Sequence, residues 1–404
     1  MLDDEQLIQI TAPATNTLIK VIGVGGGGGN AIANMYRDGM YDVSFLVCNT
    51  DSKALEDSPI PTRIQFGPGL GAGGKPEIGR QYAEQEESLA AIYDAIDKET
   101  KMVFVTAGMG GGTGTGAAPI VAREVKARDI LTVGIVTLPF LFEGRKQIDK
   151  ALDGLELLAK EVDALIVVNN QRMLSVYHTQ SVMDAFHKAD QTLTNAVRSV
   201  VDIIKMRGVI YLDFNDVCMV LREGGICVIS TGTAHGENRI TAAIENALNS
   251  PLLNQNDIFT ARRLVMCITF PEKHETLQMN ELCEVEEFIA KFERKDLEYK
   301  WGLAKDESLE GEVKVTILAS GFGLVEEEED EEQLLKRIER ETLHQTYYGE
   351  LRKTTKKPRR PVYIFSQEEL DNELLIDQIE AIPTAKRTRE QLQKIKEFSQ
   401  NPIP

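Results

Sequence analysis

Apolar and polar positions follow a repeating pattern through the first 170 residues of the chain. Six short apolar runs have the length and composition of buried strands, at residues 18–23, 44–49, 63–66, 102–107, 131–138 and 164–168. Between the runs, apolar residues recur at helical spacing, as Ala151, Leu155, Leu158 and Val162 do. This alternation predicts a doubly wound α/β domain, in which helices cover a parallel sheet on both faces.

A second α/β region follows a long amphipathic stretch. Residues 182–206 contain neither proline nor glycine and predict one helix of about six or seven turns that connects two domains. Beyond the helix, strand-like runs lie near residues 227–230, 264–270, 297–303 and 313–319. Because the late strands are close together in the chain, we expect a smaller domain with a mixed sheet.

The pattern changes after residue 323. Residues 326–332 are all acidic, and residues 352–360 hold six basic residues without apolar periodicity, which is typical of a solvated, disordered linker. Apolar character returns at residues 362–365 and 374–379 and indicates a short docking segment. We therefore divide the chain into five parts: an N-terminal extension (1–17), a nucleotide domain (18–181), a connecting helix (182–208), a second α/β domain (209–324) and a charged linker with the docking segment (325–404).

Composition excludes several classes of protein. A net charge of −18 over 404 residues argues against nucleic-acid binding, and no apolar run approaches the roughly 18 residues that would insert into a membrane. Three of the first five residues are acidic, where a signal peptide would be basic and then apolar, so we expect no export and a cytoplasmic location. The five cysteines are scattered, which predicts buried, reduced thiols. No spacing identifies a set of metal ligands.

Three glycine-rich runs suggest a site for phosphate. The first, GVGGGGGN at residues 23–30, follows the first strand and precedes a helix predicted at residues 31–37. The second, GMGGGTGTG at residues 108–116, follows the fourth strand and precedes a predicted helix at residues 117–127, and GLGAGGKP at residues 69–76 also ends at a helix start. Glycine amides at helix N-termini cradle phosphate groups. No P-loop lysine motif is present, and the three loops would converge at the carboxyl ends of the strands.

Together these motifs resemble FtsZ, the bacterial tubulin-like cell-division GTPase family. Residues 110–116, GGGTGTG, match the tubulin/FtsZ signature loop. The other matching motifs are the loop at 25–30, NTD at 49–51, the loop at 71–76, PFLFEG at 139–144, DFND at 213–216 and GENR at 236–239. The resemblance extends from about residue 18 to residue 324.

The resemblance implies that the chain binds GTP and GDP. The nucleotide-binding residues that it implies are Gly25, Gly26, Gly27, Gly28, Gly29, Asn30, Ala72, Gly73, Gly74, Gly111, Gly112, Thr113, Gly114, Pro139, Glu143, Gln147, Asn170, Phe186 and Asp190. Residues 72–74 would close over the terminal phosphate, Glu143 would bind the ribose, and Asn170 and Asp190 would read guanine. Phe186 would stack on the base, unless it is a plain core residue, and Glu143 is alternatively an exposed loop carboxylate.

Three positions depart from the family pattern. Gln147 stands where the family usually has an arginine, with Arg145 two residues earlier. Tyr211 replaces an asparagine two residues before Asp213, and Gln171 replaces an acid. These changes concern the rate of turnover and the detailed contacts rather than the identity of the nucleotide.

Asp213 and Asp216 are the candidate catalytic acids. Their spacing places both on one helical turn, where they either act together on water and a cation or serve as a helix N-cap pair. The resemblance favours catalysis, because in the family this loop enters the nucleotide site of the next subunit. It thus implies a GTPase whose active site is shared between subunits, with Mg²⁺ as cofactor and a monovalent cation as a further option.

The resemblance also implies partners and a cellular role. The chain would polymerise with itself head to tail, form the cytokinetic ring at the division site, and bind membrane-tethering and regulatory division proteins through its C-terminal tail. Residues 382–387, IPTAKR, resemble the family's terminal peptide only weakly.

Two other interpretations are considered. A nicotinamide-dependent oxidoreductase would use the first glycine loop, with Asp51 about 20 residues further on as the ribose-binding acid; it leaves the signature loop unexplained. A structural relative that binds GTP and assembles but hydrolyses it slowly would account for Gln147 and Tyr211.

Overall fold

The computed structural model describes residues 17–40, 43–172, 182–206, 208–249, 258–271, 277–292 and 297–322, with the backbone alone for residues 182–187 and 189. The predicted linker and docking segment, and all but one residue of the N-terminal extension, lie outside the described residues.

The first half of the described chain forms a parallel sheet. Its strands are β1 (Ile19–Val24), β2 (Ser44–Asn49), β3 (Arg63–Gln65), β4 (Met102–Gly108), β5 (Leu131–Leu138) and β6 (Ala164–Asn169). The helices between them are α1 (Gly25–Arg37), α2 (Ser52–Glu56), α3 (Pro76–Ala83), α4 (Glu86–Asp94), α5 (Thr113–Lys126) and α6 (Arg145–Glu161). Neighbouring strands pair in parallel in the order β3-β2-β1-β4-β5-β6, which confirms the predicted α/β class.

The second half adds a mixed sheet, as predicted. Its elements are α7 (Val182–Lys205), β7 (Gly208–Ile210), α8 (Phe214–Leu221), β8 (Gly225–Ala234), α9 (Arg239–Leu248), β9 (Arg263–Phe270), α10 (Leu282–Ile289), β10 (Glu298–Lys305) and β11 (Val313–Ser320). The strand order continues as β6-β8-β11-β9-β10-β7. Strand β11 is antiparallel to both of its neighbours, and β7 is antiparallel to β10. The three-residue strand β7 was not predicted.

The two halves share a narrow seam and a common core. Strands β6 and β8 pair only through Ala164 with Gly225 and Leu165 with Ile226. Helix α7 buries Val197 and Val200 in a cluster that also contains strand residues of both halves, such as Val133. Apolar burial along α7 therefore holds the halves together. The domain boundaries themselves stay a prediction.

Two helices begin earlier than the sequence predicts. Helix α1 starts at Gly25 rather than at residue 31, and α5 starts at Thr113 rather than at residue 117. Glycine disfavours a helix by about 1 kcal/mol per residue, so sequence patterns place these residues in loops. Here the glycines form the first turns of the helices, and Gly25, Gly28 and Gly114 among them pack tightly against neighbouring main chain.

The cysteines are free but not all buried. Cys48, Cys227 and Cys267 are buried, and burial raises the pKa of the Cys227 thiol to about 12. Cys283 is exposed on α10, so the prediction of buried thiols is wrong at that position. Among the described helices, none is both long and apolar enough to cross a membrane.

Candidate active site

The strand order places a ligand crevice between β1 and β4. From β1 the chain proceeds outward through β2 and β3, then returns to the other side of β1 and continues through β4, β5 and β6. In open α/β sheets, ligands bind at such a reversal, beside the carboxyl ends of the strands. The first two glycine runs follow β1 and β4 directly and therefore flank this crevice.

The first two glycine loops touch through their main chains. A Cβ atom placed on Gly25 would lie 2.7 Å from the amide nitrogen of Gly114, and one placed on Gly28 would overlap the carbonyl oxygen of Thr106. Gly25 also has a φ of +73°, which side chains rarely tolerate. These glycines are required because no side chain fits between the loops.

The third loop packs against the second. A Cβ atom on Gly112 would lie 2.8 Å from the Cβ of Ala72, and the hydroxyl oxygens of Thr50 and Thr113 are 2.6 Å apart. The amide of Gly71 donates to the carbonyl oxygen of Thr50 at 2.8 Å. The structure thus brings the three glycine loops together at one edge of the sheet.

Other glycines in these loops face open space. Cβ atoms on Gly26, Gly73, Gly74 and Gly111 would meet no atom within 4 Å. The first turns of α1 and α5 carry no acidic side chain, so their free amides and positive dipole ends are uncompensated. A main-chain surface of this kind suits phosphate.

Helix α6 supplies two polar side chains to these loops. The Gln147 side chain packs against the signature loop, with its Cγ 3.1 Å from where a Cβ of Gly110 would lie. One turn later, Lys150 Nζ donates to the carbonyl oxygen of Gly74 at 2.6 Å. Arg145 instead lies 3.8 Å from Asp149, exposed to solvent. Gln147 lies beside the signature loop, and its contact with the nucleotide stays a prediction. Lys150 was not identified, because a lysine within a helix gives no signal in the sequence.

The loop after β5 is held by its own polar groups. Glu143 is exposed, and its Oε1 accepts the Phe140 amide at 2.8 Å. The amide of Leu141 donates to Gln171 Oε1 at 2.9 Å. Gln171, one of the departures from the family pattern, therefore fastens this loop to the end of β6. The buried Pro139 lies at the start of the loop.

Two of the predicted base-reading residues have contrasting surroundings. The Asp190 carboxylate accepts from Asn34 Nδ2 at 2.9 Å, which joins α7 to α1. Asn170 is buried, and its Oδ1 has no hydrogen-bond partner among the described residues. An unpaired buried acceptor costs about 1–3 kcal/mol, so a bound donor would stabilise it. For Phe186 only the backbone is described, and its predicted stacking lies outside the described side chains.

Asp213 and Asp216 cap the first turn of α8. Asp213 Oδ1 accepts the Asp216 amide at 2.9 Å, and Asp216 Oδ2 accepts the Asp213 amide at 3.0 Å. The N-cap interpretation is therefore confirmed, and the catalytic role stays a prediction. Asp216 Oδ1 also lies 3.2 Å from Lys300 Nζ on β10.

The acids lie at the opposite edge of the sheet from the glycine loops. Asp216 contacts Lys300 near the start of β10, which runs in the same direction as β6. At the other end of α8, Arg222 pairs at 3.1 Å with Asp129, two residues before β5 begins. The next strand, β8, starts beside the start of β6. Strand β5 has eight residues, which span about 25 Å at about 3.3 Å per residue. Within one chain, the structure does not bring Asp213 and Asp216 to the predicted nucleotide-binding residues.

Asp51 does not have the role that an oxidoreductase would require. Its Oδ1 accepts the amides of Lys53 and Ala54 at 3.0 and 3.4 Å and caps α2. This helix-capping role accounts for Asp51 without a bound ribose.

Three family models match the chain and identify its class. Residues 18–178 match the GTPase domain of the Tubulin/FtsZ family, residues 225–323 match the C-terminal domain of the FtsZ family, and residues 357–402 match the family model described as FtsZ, C-terminal. With the strand order and the three glycine loops, the first match defines a GTPase domain of the tubulin class.

Individual relatives narrow the assignment. The chain is 44% identical to the cell division protein FtsZ of Porphyromonas gingivalis, over 98% of this chain and 91% of that protein. It is 43% identical to the cell division protein FtsZ of Pseudomonas aeruginosa, over 77% of this chain and 78% of that protein. An empty FtsZ dimer from M. jannaschii superposes with a TM-score of 0.67 at 37% identity, covering 76% of this chain and 88% of that one. The chain belongs to the FtsZ family of tubulin-like cell-division GTPases.

Proposed function

We propose that this chain binds GTP at the glycine edge of its sheet and hydrolyses it only when a second copy presents Asp213 and Asp216 to the bound nucleotide. Copies would then assemble head to tail into filaments that form the cytokinetic ring. The observation that carries this proposal is the placement of the glycine loops and the two acids at opposite edges of one sheet.

The nucleotide contacts follow from the geometry of the site. The amides of residues 25–30 and 111–114 would bind the phosphates, and residues 72–74 would lie over the terminal phosphate. Glu143 would turn from its own loop to the ribose, while Asn170 and Asp190 would read guanine. Mg²⁺ would be held mainly by the phosphates and water, as is usual for this ion at nucleotide sites. Bound there, Mg²⁺ would neutralise the charge that develops during phosphoryl transfer.

Exposed apolar side chains support a contact between copies. Leu70 beside the glycine loops is 87% exposed, and Phe142 is also well exposed on the loop after β5. Near the acids, Tyr211 is 70% exposed and follows the exposed Val209. The apolar surfaces at the two edges differ from each other, which suits a heterologous contact between copies. Such a contact builds a filament when the rotation that relates neighbouring copies does not close a ring. The M. jannaschii relative was solved as a dimer, which agrees with self-association.

The division of the chain fits the same role. The nucleotide domain (18–181) and the second domain (209–324), connected by residues 182–208, would form the polymerising unit. Residues 325–404 would tether it to membrane-bound and regulatory division proteins in the cytoplasm at the division site. Residues 357–402 match the family model described as FtsZ, C-terminal, so a segment of the family's C-terminal region is present here.

Phosphate release from GTP and Mg²⁺, measured across a range of protein concentrations, tests the shared site. We expect turnover per molecule to vanish below a threshold concentration, because an isolated copy lacks the acids at its nucleotide. Turnover that stays constant on dilution would contradict the proposal.

The variant Asp213→Asn tests the acid itself. Asparagine caps helices as well as aspartate does, so α8 should be retained. We expect turnover to fall by about 100-fold, the usual contribution of a group that handles the proton or the water, with GTP binding unchanged. Asp94→Ala removes an exposed acid from α4 and serves as the control. A parallel loss of GTP binding in Asp213→Asn would contradict the assignment.

A further inference from the structure

The two candidate acids are not equivalent. Both carboxylate oxygens of Asp216 are engaged, Oδ2 with the Asp213 amide and Oδ1 with Lys300 Nζ at 3.2 Å. Asp213 uses only Oδ1, and its Oδ2 has no hydrogen-bond partner among the described residues. The Asp216 side chain is 17% exposed, whereas Asp213 is open to solvent. Asp213 therefore has one carboxylate oxygen without a partner among the described residues, whereas each oxygen of Asp216 already has one.

Lys300 is held beside the acids by the sheet. It lies near the start of β10, and this strand runs directly past the residue that precedes Asp213: a Cβ atom on Gly302 would lie 2.6 Å from Leu212 Cγ. The Lys300 side chain is 56% exposed, so its ammonium group is at the surface where a second copy would dock. A strand positions this charge more firmly than a loop would.

The charge matters because the proposed partner is a triphosphate. Two carboxylates that approach it repel it, and the repulsion strengthens as docking excludes water. Lys300 offsets one of the two negative charges. On the nucleotide side, Gln147 provides no charge where the family usually has an arginine.

We propose that Lys300 is a positioning residue of the shared GTPase site. It fixes and neutralises Asp216, which leaves Asp213 as the acid that orients the attacking water on the neighbouring copy's nucleotide. This inference rests on the proposed function, since it requires the acids to act on a second copy. Lys300 lies outside every motif of the sequence, and only the fold brings it to the acids.

The test compares Lys300→Met with Lys300→Arg. We expect Lys300→Met to raise the threshold concentration for turnover and to lower the turnover of assembled protein by on the order of tenfold, because an interfacial charge loses its partner. GTP binding below the threshold should stay unchanged, and Lys300→Arg should keep most of the activity. Lys291→Met, which removes a positive charge elsewhere in the second half, is the matched control. Unchanged threshold and turnover in Lys300→Met would overturn the inference.

A double variant separates charge from packing. Lys300→Met combined with Asp216→Asn has the same net charge at the site as the natural chain, so the threshold concentration for its assembly with GTP, measured by sedimentation rather than by turnover, should return to the natural value. A threshold that stays as high as that of Lys300→Met alone would show that Lys300 acts through packing and would overturn the inference. Failure of the proposed function would look different from failure of this inference, because the unmodified protein would then show no threshold concentration for turnover.

Discussion

Gly26 and Gly28 lie two residues apart in the first glycine run, yet the structure constrains them differently. A Cβ atom on Gly28 would overlap the Thr106 carbonyl oxygen, whereas one on Gly26 would meet nothing within 4 Å. Glycine at residue 28 serves the packing of the fold itself. Glycine at residue 26 has no such packing role in the free chain, which agrees with the proposed close approach of a phosphate.

Alanine at each position separates these two roles. Gly28→Ala should lower the free energy of unfolding by about 1–3 kcal/mol, because overpacking forces the backbone to shift. Gly26→Ala should leave stability unchanged or slightly raised, since alanine favours the helix, and should weaken GTP binding. Urea unfolding without nucleotide and a GTP titration measure both effects. Natural GTP affinity in Gly26→Ala would show that the phosphates do not lie against this amide.

Helix α9 is anchored by a buried ion pair at its first residue. Arg239 Nε lies 2.7 Å from Glu281 Oε1, and Arg239 also donates to the carbonyl oxygen of Gly311. Burial alone would raise the pKa of Glu281, but the hydrogen bonds from Arg239 and from the Gln278 amide outweigh it and hold the pKa below its ordinary value. Arg239 belongs to the GENR motif of the sequence, and its described contacts are structural.

Glu281→Gln should lower the free energy of unfolding by about 3–5 kcal/mol at pH 7, because Arg239 stays buried without its partner charge. A carboxyl with a depressed pKa stabilises the fold above its unfolded pKa of about 4.3, and this contribution is lost as the pH falls further. The difference in free energy of unfolding between the natural chain and Glu281→Gln should therefore become smaller from pH 5 to pH 3, as measured by urea unfolding.

Glu156→Gln provides the comparison for this measurement. It removes an exposed pair with Lys160, which is worth about 0.3–0.5 kcal/mol. If the loss of unfolding free energy in Glu281→Gln stays constant with pH, the ionised Glu281 carboxylate does not have the proposed stabilising role.

Helices and strands with a strong apolar pattern could be predicted from the sequence. Those that form only by pairing or packing with distant parts of the chain could not. The strand predicted at residues 131–138 matches β5, and the helix predicted at residues 182–206 ends one residue early. Strand β7 was missed because its three residues become a strand only by pairing with β10. The starts of α1 and α5 were misplaced because tertiary packing overrides the low helix propensity of glycine.

The part of the candidate site that consists of main-chain groups could be predicted from the sequence. Glycine runs after two strands indicate phosphate binding directly, and the structure does bring these loops together. Lys150, Asn34 and Lys300 were missed, because each reaches its partner from a distant part of the sequence. Spacing along the chain carries no signal for such contacts.

At the scale of the whole molecule, the separation of the two edges predicts complementation between inactive variants. Gly26→Asp places a carboxylate where we expect phosphate and should not bind GTP, whereas Asp213→Asn should bind GTP but lacks the proposed catalytic acid. Mixed in equal amounts, they should regain turnover, because about a quarter of random head-to-tail contacts join an intact nucleotide site to an intact acid pair.

Phosphate release from the mixture, compared with each variant alone, measures this recovery. Gly26→Ala in place of Gly26→Asp tests whether the added charge causes the loss of binding. A mixture as inactive as its components would mean that each copy works alone.

In the proposed filament, having half of the active site at each edge of a copy would also set how many complete sites an assembly contains. In an open chain of copies, the copy at one end holds a nucleotide that no acids reach, and the copy at the other end presents acids to nothing. An open filament of n copies therefore has n − 1 complete sites, and a closed ring has n. Turnover per copy would then depend on the number of free ends. Breaking a filament would lower the turnover per copy, and closing a filament into a ring would raise it to its maximum.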